Sequence, residues 1–155
     1  MARSNRQLTQ FAVDKIRQYM VYGPEQFRSE KAGNTAVYLD ACEHCARLPH
    51  VVVTLFDREI LRLYVSPLNP RIIAGCMISA GDFYDSKGRP SRTTRERLNG
   101  LLDALGTAQF IPEGVRVFFR EDNSCAIGKG DACKHFDAGN DKVLILSHPT
   151  DLVFS

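Results

Sequence analysis

Apolar residues at the start of the chain recur with the spacing of an amphipathic helix over residues 4–22. Ser4 or Asn5 would cap this helix, and Gly23-Pro24 would end it. Its apolar face would carry Leu8, Phe11, Ala12, Ile16, Tyr19 and Met20. The pattern therefore predicts an N-terminal helical unit, residues 1–23.

A second helix is predicted over residues 93–105, where four leucines follow one another at positions i, i+3, i+4 and i+7. These are Leu98, Leu101, Leu102 and Leu105. Thr93 and Glu96 have the spacing of a capping box, in which each side chain accepts a hydrogen bond from the other residue's backbone N–H. Gly106 stands where a C-terminal cap belongs. We expect the four leucines to face a sheet.

Runs rich in β-branched and aromatic residues predict short strands in the rest of the chain. Residues 51–56 and 60–65 would form a hairpin around the polar residues 57–59, although this turn lacks the favoured Asn-Gly or Asp-Gly. Further strands are predicted at residues 34–39, 71–80, 115–119, 125–127 and 143–146. The polar stretch 24–33 is interpreted as a linker, and 128–141 as a loop rich in Gly and Asp.

The predicted helices do not alternate with the strands, as the βαβ units of a parallel sheet would require. The pattern therefore predicts an α+β fold, in which a mostly antiparallel sheet is packed by the 93–105 helix and an N-terminal amphipathic helix is added. Residues 34–148 would form a single α+β domain. The N-terminal helix would either cover the sheet of this domain or project from it.

Composition and charge exclude several classes of protein. The chain has 155 residues, of which 44% are hydrophobic and 25% charged, as is ordinary for a globular domain. Its 20 Lys and Arg against 18 Asp and Glu give a net charge of +2, so it is not a polycation of the histone type. No stretch approaches the roughly 20 apolar residues of a membrane span, and the N-terminus has no secretory signal core. We therefore expect a cytoplasmic protein that does not engage a membrane.

The chain has five cysteines: Cys42, Cys45, Cys76, Cys125 and Cys133. An odd number without a secretory signal is not typical of a disulfide framework. Cys42 and Cys45 have Cys-x-x-Cys spacing, and Cys125, Cys133 and His135 would have to complete a tetrahedral zinc site. The second half is too loosely spaced, so these five residues are only weak ligand candidates. Reduced thiols that pack as small apolar groups are the favoured interpretation, and no metal site is predicted.

No arrangement of residues in the sequence is typical of a catalytic centre. Gly128-Lys129-Gly130-Asp131 lacks the hydroxyl residue of a phosphate loop and the helix that follows it. The four histidines are scattered along the chain, and carboxylate pairs such as Asp82/Asp85 lie in predicted loops, where acids commonly form turns. We therefore expect no enzyme activity and no cofactor.

One segment is distinctly basic, because five Lys and Arg residues fall within residues 87–97, at the predicted start of the second helix. The free N–H groups of a helix N-terminus favour anions, and neighbouring hydroxyls and aromatic rings would add donors and stacking surfaces. The candidate anion-binding or partner-binding residues are Phe83, Tyr84, Lys87, Arg89, Arg92, Thr93, Thr94, Arg95 and Arg97. The alternative is a solvated loop whose arginines pair with Glu96 and nearby aspartates, and the sequence leaves both interpretations open.

Four short motifs in the central part of the chain carry a family resemblance. They are Gly33-Asn34-Thr35, Ile78-Ser79-Ala80-Gly81, Thr93-Thr94-Arg95-Glu96-Arg97-Leu98-Asn99 and Val115-Arg116-Val117. Over roughly residues 33–128, the chain resembles a small uncharacterised domain family encoded by tailed bacteriophages. It departs from the family pattern at the hairpin turn, where Phe56-Asp57-Arg58 replaces His-Gly-Asn, and by an insertion at residues 85–89.

The resemblance implies a viral origin and supplies no catalytic residue. Within the motifs, Asn34 and Asn99 are expected to be structural and to cap the ends of a strand and a helix. The expected function is that of a phage accessory protein in the cytoplasm of the host cell, which binds a host or phage protein and inhibits or redirects a host macromolecule without catalysis. The alternative is a nucleic-acid-binding protein that uses the basic segment at residues 87–97. The sequence does not specify the oligomeric state.

Overall fold

A computed structural model describes residues 3–41, 49–65, 73–79, 91–108, 111–119, 125–129, 132–136, 142–146 and 153–154. The helices are α1, Asn5–Tyr22, and α2, Arg92–Thr107. The strands are β1 (Glu30–Ala32), β2 (Thr35–Ala41), β3 (Pro49–Leu55), β4 (Arg58–Val65), β5 (Ile73–Ser79), β6 (Arg116–Phe119), β7 (Cys125–Lys129), β8 (Ala132–Phe136), β9 (Lys142–Leu146) and β10 (Val153–Phe154).

The strands form two antiparallel sheets. The larger has seven strands in the order β1-β2-β3-β4-β5-β9-β10, and the smaller has three in the order β6-β7-β8. Every described pair of neighbouring strands is antiparallel, so the α+β class with a mostly antiparallel sheet is confirmed. α1 packs on α2 and β2, and α2 packs on β6. The N-terminal helix therefore lies against the rest of the fold.

One apolar core joins the helices to one face of the larger sheet. In the strand register, Val37, Val53, Leu61 and Ile78 lie side by side on β2 to β5, and all four are fully buried. They belong to the same buried cluster as the apolar face of α1 and the four leucines of α2. The expectation that the four leucines face a sheet agrees with their burial in the cluster that holds the inner face of the larger sheet. Their spacing places them on one stripe of the helix, which explains why one core absorbs all of them.

The helix ends differ in how well they follow the predicted caps. Ser4 caps α1 in a capping box, since its Oγ accepts from the Gln7 N–H at 3.2 Å and its own N–H donates to Gln7 Oε1 at 2.8 Å. α2 is capped by Ser91, whose Oγ accepts from the Thr94 N–H at 3.3 Å. The predicted Thr93–Glu96 capping box is therefore wrong. The hydroxyl of Ser91, two residues before Thr93, takes the cap, which leaves the Glu96 carboxylate for other partners.

The predicted C-terminal cap at Gly106 is also wrong, because α2 continues to Thr107 and is capped by Ala108. Gly106 is buried in the last turn of the helix. A Cβ at this position would lie 3.1 Å from the Cα of Glu113. The glycine is therefore needed for the close approach of the segment that leads to β6, and not for a left-handed cap.

Three strands lie where no strand was predicted. The predicted linker at residues 24–33 contains β1, a three-residue edge strand that pairs with β2. The predicted loop at residues 128–141 contains β8, and β10 lies beyond the last predicted strand. None of the three has the alternating β-branched pattern that marks a strand in the sequence. All three lie at the edge of their sheet, where pairing with a neighbouring strand gives them order.

The predicted hairpin of residues 51–65 is present, with Phe56 and Asp57 at its turn. Both residues have positive φ, 52° and 64°, which is the geometry of a type I′ turn although neither is Gly or Asn. The Phe56 N–H donates to the Asn34 carbonyl at 2.8 Å. This bond joins the turn to the neighbouring β1–β2 hairpin, where Gly33 has a φ of 57°.

Candidate partner-binding surface

The structure separates the residues of the predicted basic patch. Arg92 is exposed, with 82% of its side chain accessible, and its Nε donates to Glu96 Oε1 at 2.8 Å. Thr93 and Arg95 are partly buried. Thr94 and Arg97 lie in the interior, with 2% and 0% of their surface accessible, so assigning them to a surface patch is wrong. Phe83, Tyr84, Lys87 and Arg89 lie outside the described residues.

Arg97 connects three elements of the fold from inside. Its Nε donates to Thr9 Oγ1 at 2.8 Å, its Nη1 donates to Thr35 Oγ1, and its Nη2 donates to Asn5 Oδ1 at 2.5 Å. These acceptors lie on α1 and β2, whereas Arg97 lies on α2. Within the described part of the chain, no carboxylate contacts this guanidinium.

Burial lowers the pKa of Arg97 to about 10, because the charged form loses its hydration. The side chain is nevertheless a cation at neutral pH. Three neutral oxygens in fixed positions therefore stabilise its charge, and the rigid fork of the guanidinium makes that arrangement specific for arginine.

Asn99 joins α2 to the smaller sheet. Its Nδ2 donates to the Val117 carbonyl at 3.0 Å, and its Oδ1 accepts from the Val117 N–H at 2.7 Å. Asn99 is structural, as expected, but it lies in the interior of α2 and fixes β6 in place of capping a helix end. The expectation that Asn34 is structural agrees with its side-chain bond to Thr35, whose hydroxyl also accepts from Arg97.

A chain of polar contacts connects the exposed start of α2 to Arg97. Glu96 accepts from Arg92 on one oxygen and from Asn5 Nδ2, at 2.6 Å, on the other. Asn5 Oδ1 in turn accepts from Arg97. The hydrogen bond from Arg92 is the main reason that the pKa of Glu96 is lowered. The pairing of arginines with Glu96 that the sequence left open is thus present for Arg92.

Two open grooves follow the outer side of α2. The first, about 470 Å³, separates α2 from α1 and is lined by Arg6, Arg17 and Gln10 among others. The second, about 540 Å³, separates α2 from β6. Three residues of the helix line both grooves, namely Glu96, Gly100 and Asp103. We call this outer side of α2, with its two grooves, the α2 surface.

The groove between α2 and β6 brings an aromatic ring and two arginines together. It is lined by Arg95 from α2 and by Arg116 and Phe118 from β6. Phe118 is 40% exposed, one of the few large apolar side chains at the described surface with that much exposure. Arg116 Nη2 lies 3.9 Å from Asp103 Oδ2, and both side chains are about half exposed (49% and 52%), which makes this a weak ion pair.

A second polar cluster, which sequence reasoning missed, lies on the opposite face of the larger sheet. Arg62 donates through Nε and Nη2 to Glu59, with a shortest contact of 2.6 Å, and through Nη1 to Asp40 Oδ2 at 2.9 Å. The two carboxylates hold the pKa of Arg62 above its usual value. The residues come from β2 and β4, so only the strand register brings them together.

His50 completes this cluster. Its Nδ1 lies 3.1 Å from Arg62 Nη1, and the Tyr64 ring meets the imidazole edge to face at 4.5 Å between centroids. Burial, and then the positive charge of Arg62, lower the pKa of His50. A neutral imidazole that accepts a hydrogen bond from Arg62 at Nδ1 fits both observations. Polar residues at alternate strand positions were the available signal, but pairing them needed the register.

The structure describes the side chain of one of the five cysteines, Cys76. Cys76 is a free, fully buried thiol on β5, and burial raises its pKa to about 12. The side chains of the weak metal candidates Cys42, Cys45, Cys125, Cys133 and His135 lie outside the described ones. Among the residues described, no three metal-ligating side chains come together. None of the helices in that part of the chain is long and apolar enough to cross a membrane.

Comparisons with known proteins give no relative. No family model, no curated protein and no solved structure matches the chain. The resemblance to a family encoded by tailed bacteriophages therefore stays a prediction, and any function has to be argued from the chain itself.

Proposed function

We propose that this protein is a non-catalytic phage accessory protein that binds a host macromolecule through the α2 surface and thereby inhibits or redirects it. The observation that carries the proposal is the groove between α2 and β6, where Arg95, Arg116 and Phe118 line one open depression. Arginine and aromatic residues are enriched at interfaces, where they supply most of the binding energy.

The architecture beneath the surface supports the same proposal. The network of Arg97 fixes α1 against α2, and the bidentate bonds of Asn99 fix β6 against α2. Both grooves are therefore bordered by elements with buried polar connections. A surface held in one geometry loses less entropy on binding than a mobile one.

The groove between the helices carries charges of both signs, Arg6 and Arg17 together with Glu96 and Asp103. Complementary charges on a partner would fix its orientation in this groove. Nucleic-acid binding is the second candidate, and the specific observation in its favour is the exposed Phe118 next to Arg116.

The test is affinity purification from a bacterial lysate, with and without nuclease treatment, followed by quantitative analysis of the bound proteins and nucleic acids. The variant Arg116→Glu/Phe118→Ala changes the groove, and Arg28→Glu/Phe56→Ala is the matched control because Arg28 and Phe56 are exposed elsewhere. We expect proteins or nucleic acids enriched by the wild type and the control to be lost from the groove variant. Equal enrichment by all three, at equal melting temperature, would contradict the proposal.

A further inference from the structure

We infer that the groove between α2 and β6 binds single-stranded nucleic acid, with a base stacked on Phe118 and the backbone phosphates next to Arg116 and Arg95. This inference rests on the proposed function and deepens it by naming the class of partner. It is carried by the geometry of β6, by the weak pairing of Arg116 and by the charge that leads into α2.

The geometry of β6 leaves the Phe118 ring partly exposed, with 40% of its surface accessible. Arg116 and Phe118 alternate with Val117, which is 1% exposed and faces the core. On the neighbouring strand, Ala126 lies opposite Phe118 and Gly128 lies opposite Arg116. Both residues are buried, Ala126 with 1% of its surface accessible, and neither has a side chain long enough to cover the ring. A flat ring beside small neighbours is a stacking surface for any base.

Arg116 is available to a phosphate at little cost. Its described partner, Asp103, lies 3.9 Å away and is about half exposed, so water already screens this pair. A phosphate would replace that contact with a charge-assisted hydrogen bond of shorter length. The other carboxylate of the groove, Glu96, is bound by Arg92 and Asn5, which reduces its repulsion of an incoming anion.

The charge near the start of α2 extends in the same direction. Arg92 and Arg95 lie in its first turn. The described first turn of α2 contains no acidic residue, and Glu96 follows directly after it. Arg95 and Arg116 in one groove with an exposed aromatic ring match an alternating polymer of phosphates and bases better than an acidic peptide, which offers no flat ring for Phe118.

The test is fluorescence anisotropy with fluorescein-labelled oligo(dT) and oligo(U), at about 50 mM and about 200 mM salt. An oligo duplex and unlabelled poly-glutamate are the comparison polymers. We expect oligonucleotide binding that weakens about twentyfold over this salt range, since about three phosphate contacts give that slope for a single strand. Phe118→Ala should lower the affinity by roughly five- to hundredfold, the value of one stacked base.

Arg116→Glu should weaken binding and flatten the salt dependence, whereas Phe56→Ala and Arg28→Glu should stay within about twofold of the wild type. Circular dichroism on each variant separates loss of binding from loss of fold. Preference for oligo(dT) or for oligo(U) assigns the ligand as DNA or RNA within the inference.

Three results would overturn the inference. They are the absence of saturable oligonucleotide binding at low salt, an unchanged affinity in folded Phe118→Ala, and competition by poly-glutamate as strong as by oligo(dT). If oligonucleotides fail while enrichment from nuclease-treated lysate still depends on Arg116 and Phe118, then the inference fails and the proposed function stands. If that enrichment is also insensitive to the two residues, then both fail.

Discussion

Two arginines with little exposure lie on opposite sides of the larger sheet and are stabilised in opposite ways. Arg62 is held by Glu59 and Asp40, which raise its pKa. Arg97 is held only by neutral oxygens among its described partners, and burial lowers its pKa. At Arg62, paired carboxylates stabilise the charged guanidinium. At Arg97, hydrogen bonds to neutral oxygens alone, among the described partners, offset the loss of hydration.

The comparison shows what each arginine fixes. Arg62 bonds to residues of β2 and β4, and its neighbour His50 lies on β3, so the cluster ties adjacent strands that are already paired. Arg97 instead joins elements that share no backbone ladder, since Asn5 and Thr9 lie on α1 and Thr35 on β2. We expect Arg97 to determine where α1 sits, and Arg62 to refine a sheet that would form without it.

The largest effect is expected from Arg97→Ala, which should lower the free energy of unfolding by about 3–5 kcal/mol. The substitution leaves a cavity and removes the donor for three polar side chains. Arg92→Ala is the control on the same helix, because an exposed ion pair contributes about 0.5 kcal/mol. Urea denaturation measures both. A loss below about 1 kcal/mol for Arg97→Ala would show that the interior network is not needed.

The second-largest effect is expected from Gly100→Ala, which perturbs the surroundings of Arg97 without changing Arg97 itself. A Cβ at Gly100 would lie 2.2 Å from Thr9 Cγ2, and the Thr9 hydroxyl is fixed by bonds to Arg97 and to the Asn5 carbonyl. Gly100→Ala should therefore cost about 1–3 kcal/mol, reduced by the helix propensity of alanine.

Adding Thr9→Ser to Gly100→Ala supplies the control, because serine keeps the hydroxyl but lacks Cγ2. We expect the double variant to recover more than half of the stability lost by Gly100→Ala alone. Urea denaturation of the two single variants and of the double variant gives the coupling. Additive losses would mean that Thr9 Cγ2 is not what limits the approach of the helices.

The location of Arg97 was predictable from its helix, but that of Arg62 was not. Arg97 lies four residues before Leu101, on the stripe of the buried leucines, so helical phase marks it as interior. Grouping it by charge with its exposed neighbours hid this signal. The Arg62 cluster depends on which residues of β2, β3 and β4 stand opposite one another, and that register includes a bulge at Val53/Thr54. No local pattern encodes it.

The same distinction holds for the candidate binding groove. Its helical half was predictable, because the leucine spacing locates α2 to within about two residues at each end although both predicted caps were wrong. Its other half was predicted as a strand, but Arg116 and Phe118 came into the site only through the pairing of Asn99 with Val117. A side-chain bond over 18 residues of sequence leaves no periodic signal.

Arg62→Met is expected to cost less than Arg97→Ala, about 1–2 kcal/mol, because water reaches the carboxylates that lose their partner. Asp40 and Glu59 are 46% and 24% exposed. Raising the salt concentration should shrink this loss, since it is a loss of charge pairing. The loss for Arg97→Ala should not change with salt, because its described acceptors are neutral. Equal salt dependence for the two variants would contradict the conclusion that Arg62 is stabilised by charged partners and Arg97 by neutral ones.

The smallest effect concerns His50, whose pKa is lowered by burial and by Arg62. A histidine whose folded pKa lies below its unfolded value of about 6.5 contributes stability that is complete above pH 6.5 and is lost as the pH falls towards the folded pKa. His50→Gln should therefore flatten the fall in stability of the wild type below about pH 6.5.

Arg62→Met should raise the pKa of His50, because it removes the repelling charge and leaves Asp40 and Glu59 in place. NMR titration of the imidazole measures that pKa, and urea denaturation across the pH range measures the stability. A His50 pKa that is unchanged in folded Arg62→Met would show that burial alone keeps this imidazole neutral. The charge of Arg62 would then have no effect on the ionisation of the neighbouring imidazole.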